Sequence, residues 1–174
     1  MSNERDIPEW TPKAEAFSGH SNRKIRFEKT AKSLANAILR NRPIEEGGCG
    51  CPVLVEGMRD ERTLREIGFT GPIEKMNRGW DRSRLIAFLH SEYCSISVPD
   101  GKPPIILLMD WDRTGGKLQA SIRDRLMAMD VIVDEDLRNT ILRTMKPEGR
   151  TVESLLPHSN SLVPLVHTFL EAME

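Results

Sequence analysis

The feature that most constrains the fold of this chain is a run of five apolar residues, Ile105–Met109, which lies between a proline-containing loop and a group of acidic residues. An apolar run without alternation suits the centre of a parallel sheet, where both faces of a strand are covered. The run is also the longest apolar stretch in the sequence, far shorter than the ~20 residues that cross a bilayer. We therefore expect an α/β domain and no membrane-spanning segment.

The segments around this run alternate between strand patterns and helix patterns. Shorter apolar segments predict further strands at 53–55, 72–76 and 131–133. Apolar residues at helical spacing predict helices at 26–40, 60–67, 81–93, 114–129, 134–145 and 162–173. Alternating units of this kind predict a compact, Rossmann-like parallel sheet of about four strands, with right-handed crossovers and helices on its faces.

The chain divides into three predicted parts. Residues 1–47 hold an irregular arm, 1–22, and a basic amphipathic helix that extends the domain at its N-terminal side. A cluster of glycine, cysteine and proline follows and is typical of a boundary. The α/β domain itself is predicted at 48–156, and residues 157–174 form a C-terminal helix that packs on it.

The N-terminal helix is amphipathic, and its two faces predict different surroundings. Its apolar positions predict contact with the body of the domain: Phe27, Leu34 and Ile38. Its polar positions predict exposure to solvent: Lys29, Lys32 and Asn36. If the apolar face were instead in solvent, the helix would be a surface for an oligomer or a partner.

Charge is balanced overall but is distributed unevenly along the chain. Lys and Arg number 25 and Asp and Glu number 26, a net charge of −1 that neither indicates nor excludes a nucleic-acid-binding protein. Between His20 and Arg42, however, seven basic residues are opposed only by Glu28. This segment is either a solvated helix face or a surface for nucleic acid, and the sequence leaves both open.

The cysteines predict the compartment rather than a site. Three is an odd number, and the N-terminus carries mixed charges with no apolar core of a secretory signal, so we expect a reducing cytoplasm. Cys49, Cys51 and Cys94 also lack the usual spacing of a zinc site. Idle thiols are the expectation, with a structural metal as the less favoured alternative.

Acidic residues follow two of the predicted strands directly. Glu56 comes after 53–55, and Asp110 and Asp112 come after the central apolar run. Ligands of open parallel sheets bind outside the carboxyl ends of the strands, and if these two strands are neighbours the three carboxylates converge there. A hard divalent cation relieves the repulsion between such carboxylates, which predicts a site for Mg²⁺, or for Mn²⁺.

The start of the next helix carries features suited to an anion. Gly115 and Gly116 allow a close approach of the backbone, and the N-terminus of a helix favours negative charge. Arg113 is held beside the acids by its position, and Lys117 lies in the first helical turn. We expect these four residues to contact phosphate.

The order of these motifs resembles the Toprim domain, whose signature is a Glu after a first strand and an Asp-x-Asp after a later one. Here the matching residues are Val55-Glu56-Gly57 and Asp110-Trp111-Asp112, with Gly115 in the usual trailing position. The resemblance covers about residues 51–156, and the chain is most similar to small stand-alone Toprim proteins of archaea. It implies a sheet of about four parallel strands and Mg²⁺ bound through the acids, with Glu56 as a ligand or general base.

The resemblance also bears on two residues outside the acidic motifs. In many Toprim proteins the loop after the second strand lies near the site, so Arg78 would contact a phosphate there; the alternative is an exposed arginine in a turn. The only tyrosine, Tyr93, lies in a predicted helix and is interpreted as a packing residue rather than as the nucleophile of a topoisomerase.

Two functions follow from the resemblance and stay open. One is Mg²⁺-dependent phosphotransfer on nucleic acid, most simply by a nuclease, with Glu56, Asp110 and Asp112 as catalytic residues. The other is a non-catalytic module that binds nucleic acid or a partner protein, as in RecR-type proteins. Neither reading distinguishes DNA from RNA or specifies a homo-oligomer, and neither requires a membrane.

Overall fold

The structure, a computed structural model, describes residues 12–95 and 97–174, with side chains in the first helix from Asn22 onward. The strands are β1 (Val53–Val55), β2 (Ile73–Lys75) and β3 (Ile106–Leu107). The helices are α1 (Pro12–Asn41), α2 (Met58–Ile67), α3 (Arg82–Tyr93), α4 (Arg113–Met127), α5 (Asp136–Thr144) and α6 (Ser159–Met173). Short 3-10 helices occur at Ile44–Glu46 and Glu153–His158.

The strands form a small, open, parallel sheet in the order β2-β1-β3. Val53 of the central strand pairs with Ile73 on one side and with Ile106 on the other. The predicted α/β architecture, with a parallel sheet flanked by helices, is therefore present and is compatible with a Rossmann-like fold. The neighbouring positions of β1 and β3 also meet the condition for convergence of the acidic residues that follow them.

The prediction of about four strands is wrong within the described residues, where three are found. The predicted strand at 131–133 meets the sheet only through a single bridge between Ile106 and Asp134. The backbone N of Leu107 donates to Asp134 O at 2.9 Å, and α5 begins two residues later. Ile132 is 70% exposed, so this segment touches the edge of the sheet at one point and turns away.

Both faces of the sheet are covered, as the unbroken apolar run predicts. Ile106 and Leu108 face one core, which α1, α2, α5 and α6 complete. Ile105, Leu107 and Met109 face a second core, formed mainly with α3 and α4. All five side chains are fully buried, and each such burial stabilises the fold by about 1.5–3 kcal/mol.

Helix α1 is part of the larger core rather than a separate extension. It begins at Pro12, so the predicted irregular arm is helical over 12–22, while 1–11 lie outside the described residues. Phe27, Leu34 and Ile38 are buried against α5 and α6, and the predicted polar positions, Lys29, Lys32 and Asn36, are exposed. Both predictions for this helix are confirmed.

The end of α1 is joined to the sheet through Asn41. Its buried side-chain amide donates to Cys51 O and to Pro72 O, each at 2.9 Å, and its Oδ1 accepts from the backbone N of Gly71 at 2.8 Å. A Cβ at Gly71 would lie 1.7 Å from Asn41 O, so only glycine permits this approach. The contact fixes the starts of β1 and β2 relative to α1.

The three cysteines are free thiols. Cys51 is buried beside the start of β1, and burial raises the pKa of its thiol to about 11. None of the helices within residues 12–95 and 97–174 has the length and apolar character needed to span a bilayer.

Candidate functional site

Two of the predicted acidic residues come into direct contact at the carboxyl edge of the sheet. Glu56 follows β1, and Asp110 follows the segment that continues β3. The backbone N of Asp110 donates to Glu56 Oε1 at 3.3 Å. The pairing of β1 with β3 thus places the Glu56 carboxylate against the backbone of Asp110.

The Asp110 loop is held by three further hydrogen bonds. Asp110 Oδ1 accepts from the backbone N of Val152 at 2.8 Å. Arg138, on α5, donates to Met109 O at 3.0 Å and to Asp110 O at 2.8 Å, and it is only 8% exposed. Sequence reasoning missed Arg138; the available signal was its position one helical turn before Ile141 on the apolar face of α5.

Asp112 begins helix α4 as its N-cap. Its Oδ1 accepts from the backbone N of Gly115 at 2.7 Å. A Cβ at Gly115 would lie 2.1 Å from Asp110 O, so the glycine lets the first turn of α4 pack on the Asp110 backbone. A Cβ at Gly116 would meet Arg138 Nη2 at 3.7 Å, an ordinary contact. The Asp-x-Asp-x-x-Gly motif is therefore a closely packed turn.

A fourth carboxylate, Asp60, belongs to the same region. It lies in the first turn of α2, where its Oδ2 accepts from the backbone N of Gly57 at 3.1 Å. Sequence reasoning read Asp60 only as part of a helix start, although its position four residues after Glu56 was the signal. We call Glu56, Asp60, Asp110 and Asp112 together the acidic edge.

Burial, together with repulsion from neighbouring carboxylates, raises the pKa of two members of the acidic edge, Asp110 and Glu56. Burial, followed by the charges of Glu56, Asp60 and Asp112, raises the pKa of Asp110 to about 6, against the lowering effect of the Val152 N–H. Burial is also the main cause of the raised pKa of Glu56, which the charges of Asp60 and Asp112 raise further. The backbone N–H of Asp110 and the charge of Arg138 lower the pKa of Glu56, but they do not offset the rise. The repulsion predicted for these acids thus contributes to the raised pKa of Glu56 and of Asp110.

The described residues contain no group of three or more His, Cys, Asp or Glu side chains with the arrangement of a metal site. One oxygen each of Glu56, Asp110 and Asp112 accepts from a backbone N–H. No hydrogen bond from the described part of the chain reaches the other oxygens, Glu56 Oε2, Asp110 Oδ2 and Asp112 Oδ2. Hard oxygen donors of this kind suit Mg²⁺, which commonly takes one or two carboxylates and completes its shell with water and substrate phosphate.

The predicted phosphate ligands differ in their availability. Arg113 and Lys117 are exposed in the first turns of α4, and neither forms an ion pair within the described residues. Arg78, in contrast, is bonded to the Glu74 carboxylate and donates to Lys75 O at 2.8 Å. Its Cζ also lies 4.9 Å from the centre of the Trp80 ring. Arg78 therefore has a structural role in the loop after β2.

Tyr93 lies on α3 and also contacts Glu74, to which its hydroxyl donates at 2.5 Å. Its ring packs edge-on against Phe88, with 6.3 Å between ring centres. These contacts agree with the interpretation of Tyr93 as a packing residue.

The chain is similar to several curated proteins, although no family model matches it. A UPF0292 protein of Methanosarcina barkeri is 27% identical over 120 residues, covering 68% of this chain and 76% of that protein. A UPF0292 protein of Thermoplasma volcanium is 32% identical over 104 residues, covering 60% and 78%. One of Thermococcus sibiricus is 31% identical over 103 residues, covering 59% and 73%.

The fold is also similar to that of a solved protein from Aquifex aeolicus. The TM-score is 0.50, and the match covers 71% of this chain and 93% of that one. At 20% sequence identity the likeness concerns the fold alone.

Proposed function

This chain belongs to the UPF0292 family, as the relatives at 31% and 32% identity show, and we propose that it is a Mg²⁺-dependent phosphotransfer enzyme acting on nucleic acid, most simply a nuclease. The fold that accompanies the proposal is the Toprim variant of the α/β architecture, with the segment at Asp134 in place of a fourth strand. The observation that carries the proposal is the contact of Glu56 with Asp110 at the edge where β1 and β3 end.

The donor chemistry of the acidic edge supports Mg²⁺ as the cofactor. Glu56 and Asp110 would hold the ion through the oxygens that accept no backbone hydrogen bond, and Asp112 would contribute its second oxygen to the ion or to its water shell. When bound, Mg²⁺ or Mn²⁺ neutralises charge on the scissile phosphate and lowers the pKa of a coordinated water. The raised pKa values of Glu56 and Asp110 mean that a cation there relieves an existing repulsion.

The residues of this chain would divide the remaining work. The alternative role of Glu56, in place of holding the ion, is to accept a proton from the attacking water, to which its pKa, raised by burial, is suited. Arg113 and Lys117 stand at the N-terminal end of α4, where the helix dipole also favours a phosphate. Arg138 would keep the Asp110 loop in place through its two carbonyl contacts.

A cleavage assay tests the proposal directly. Labelled DNA and RNA pools are incubated with the full chain in Mg²⁺, Mn²⁺ or EDTA, and wild type is compared with Asp110→Asn and Glu56→Gln. The amide oxygens still accept from the same backbone N–H groups, so the fold is kept while the charge is lost. We expect losses of about 100-fold or more in both variants.

Asp112→Asn is tested in the same assay, and its matched control is Asp81→Asn. Asp81 caps α3 in the same manner as Asp112 caps α4, with its Oδ1 accepting from Arg84 N at 2.7 Å. Asparagine is as good an N-cap as aspartate, so both helices should persist. Loss of activity in Asp112→Asn and not in Asp81→Asn would assign the effect to the acidic edge; equal losses would contradict that assignment.

Metal binding has its own readout in thermal melting. At a Mg²⁺ concentration ten times its dissociation constant, wild type should gain about 1.4 kcal/mol of stability, and Asp110→Asn should gain much less. A single-stranded DNA oligonucleotide added with the ion should strengthen the effect, because Mg²⁺ sites with few protein ligands bind weakly without phosphate. Equal gains in both proteins would contradict the assignment of the ligands.

A non-catalytic nucleic-acid-binding or adaptor module of the RecR type is the second candidate. It is favoured by the backbone hydrogen bonds that Glu56, Asp110 and Asp112 already make, because these bonds give the carboxylates a structural role without any ion. This candidate predicts binding of nucleic acid without turnover under any metal, and full biological activity of Asp110→Asn.

A further inference from the structure

A second surface with the character of a ligand site lies between α1 and α5, on the side of the molecule away from α3 and α4. It is a groove of about 560 Å³, which we call the α1–α5 groove. Its walls carry four cations, Arg26, Lys29, Lys32 and Arg143, together with Ser, Thr and Asn side chains. Asp136 is the single acid in its wall, and no lining residue is apolar.

Of the four cations that line this groove, only Arg26 forms an ion pair among the described residues. Several cations elsewhere in the described chain also form ion pairs with carboxylates: Arg40, Arg42, Lys75, Arg78 and Arg123. Lys29, Lys32 and Arg143 are exposed, and within the described residues none of them is paired. In a chain with a net charge of −1, three unpaired cations in one concave surface favour an anionic partner.

The chemistry of the groove favours the sugar-phosphate backbone of nucleic acid. Lys, Arg, Ser, Thr and Asn side chains are the usual donors to phosphate oxygens. No aromatic ring lines the groove, so it offers no platform on which bases would stack. The groove is also lined by no apolar side chain of the kind that inserts into a membrane interface. Binding there should therefore be independent of sequence.

The length of the groove suits several phosphates of one strand. Its α1 wall runs from Arg26 to Asn36, which is roughly 15 Å at the rise of an α-helix. Phosphates of one strand advance by about 3.4 Å along the axis of a duplex and lie further apart along the strand itself, so roughly four is the upper limit for this wall.

One end of the groove is connected to the acidic edge through a short chain of contacts. At that end Arg26 donates to Thr144 O at 2.6 Å and to Glu148 at 2.7 and 2.9 Å. The same connecting segment continues to Val152, whose backbone N donates to Asp110 Oδ1 at 2.8 Å. Arg150, between these two points, is exposed. One segment, 144–152, therefore contacts both the end of the groove at Arg26 and the acidic edge at Asp110.

We propose that the α1–α5 groove binds the phosphate backbone of nucleic acid and guides one strand towards the acidic edge; the guiding role rests on the proposed function, whereas the binding does not. The groove variant is Lys29→Gln/Lys32→Gln/Arg143→Gln in the full chain. The control variant is Arg62→Gln/Lys102→Gln/Arg125→Gln, which removes three exposed cations from outside the groove. Thermal melting is used to check that both variants fold.

Fluorescence anisotropy in EDTA measures binding without chemistry. The probes are a labelled mixed-sequence DNA single strand, the RNA of the same sequence, and the DNA duplex. We expect the groove variant to lose about tenfold or more in affinity near physiological salt. Its plot of log affinity against log salt should also become less steep by about 2 to 3, because three phosphate contacts are lost. The control variant should bind within about twofold of wild type.

Failure of this inference and failure of the proposed function give different results. If Asp110→Asn cannot cleave but binds as wild type while the groove variant binds poorly, both proposals are supported. If wild type never cleaves but the groove variant still loses binding, the binding proposal is supported and the enzyme proposal fails. If the groove variant binds all three probes as wild type does, the inference is overturned. Phosphatidylserine vesicles serve as a fourth probe in the same comparison. The inference is also overturned if the groove variant loses binding to these vesicles alone.

Discussion

Two pairs of carboxylates in this protein have opposite electrostatic surroundings. Asp100 and Asp134 share the guanidinium of Arg40, at 2.6 and 2.7 Å, and this contact lowers the pKa of Asp100 to about 2. Glu56 and Asp110 have no such cation between them, and burial with mutual repulsion raises the pKa of Asp110 to about 6. The first pair is neutralised by the fold itself, whereas the second keeps a repulsion that a ligand cation can relieve.

The comparison shows that the role of a buried acid depends on whether a cation of the protein is paired with it. Arg40 is only 7% exposed and also donates to Pro103 O at 2.7 Å, so its interactions are satisfied within the protein. At the acidic edge, the nearest buried cation is Arg138, which donates to carbonyl oxygens rather than to the carboxylates. A site for a metal ion is expected where charge is left uncompensated, and that is the acidic edge.

The largest expected effect comes from removing the cation of the neutralised pair. Arg40→Met leaves Asp100 and Asp134 facing each other without a partner, and we expect a loss of about 3 kcal/mol or more in the free energy of unfolding. Urea denaturation measures it. The matched control is Arg42→Met, which breaks the exposed pair with Glu174 and should cost less than about 1 kcal/mol. Similar losses in the two variants would contradict a structural role for Arg40.

The next effect comes from the packing of the acidic edge. In Gly115→Ala the new Cβ would collide with Asp110 O, so α4 must shift, at a cost of roughly 1–3 kcal/mol. Gly116→Ala is the control, because its Cβ has room and alanine favours a helix by up to about 1 kcal/mol. Equal stabilities of the two variants in urea would show that the turn does not hold α4 against Asp110.

The smallest effect is a gain in stability when the repulsion is removed. The pKa of Asp110 is raised on folding, so its stabilising contribution is fully present below about pH 4 and is lost as the pH rises through 6. Asp110→Asn should therefore be about 1–2 kcal/mol more stable than wild type at pH 7 in EDTA, and equally stable near pH 3. A variant less stable than wild type at pH 7 would contradict the repulsion.

Asp100→Asn should show the opposite sign in the same titration. The pKa of Asp100 is lowered on folding, so its contribution is present above about pH 4 and is lost as the pH falls through 2. The variant should be less stable than wild type at pH 7, and the difference should shrink in strong acid. Denaturation curves of both variants over the same pH range test the two signs together.

Local patterns predicted most of the elements because apolar spacing reports burial directly. The run at Ile105–Met109 predicted a strand covered on both faces, and Phe27, Leu34 and Ile38 predicted the buried face of α1. The segment at 131–133 was wrongly predicted as a strand, because its apolar pattern does not reveal that Ile132 points to solvent and that α5 begins at Asp136.

Charge was harder to interpret from the sequence than apolar spacing. Strand-end positions predicted that Glu56 and Asp110 would approach each other, since neighbouring parallel strands end at one edge. The basic residues between His20 and Arg42, however, were interpreted as one surface. In the structure Arg26, Arg40 and Arg42 are each paired with a different carboxylate. Their partners are far away in sequence, up to 132 positions for Arg42, and no local pattern reports them.

The packing of α1 on α6 determines when the protein can fold during its synthesis. The contacts between α1 and α6 span long separations, as the 132 positions between Arg42, directly after α1, and Glu174, directly after α6, illustrate. As the chain leaves the ribosome, the apolar face of α1 emerges before α5 and α6 and stays without these partners until they have been made. Contacts of such length slow folding, and a nascent chain with this face uncovered is a target for chaperones and proteases.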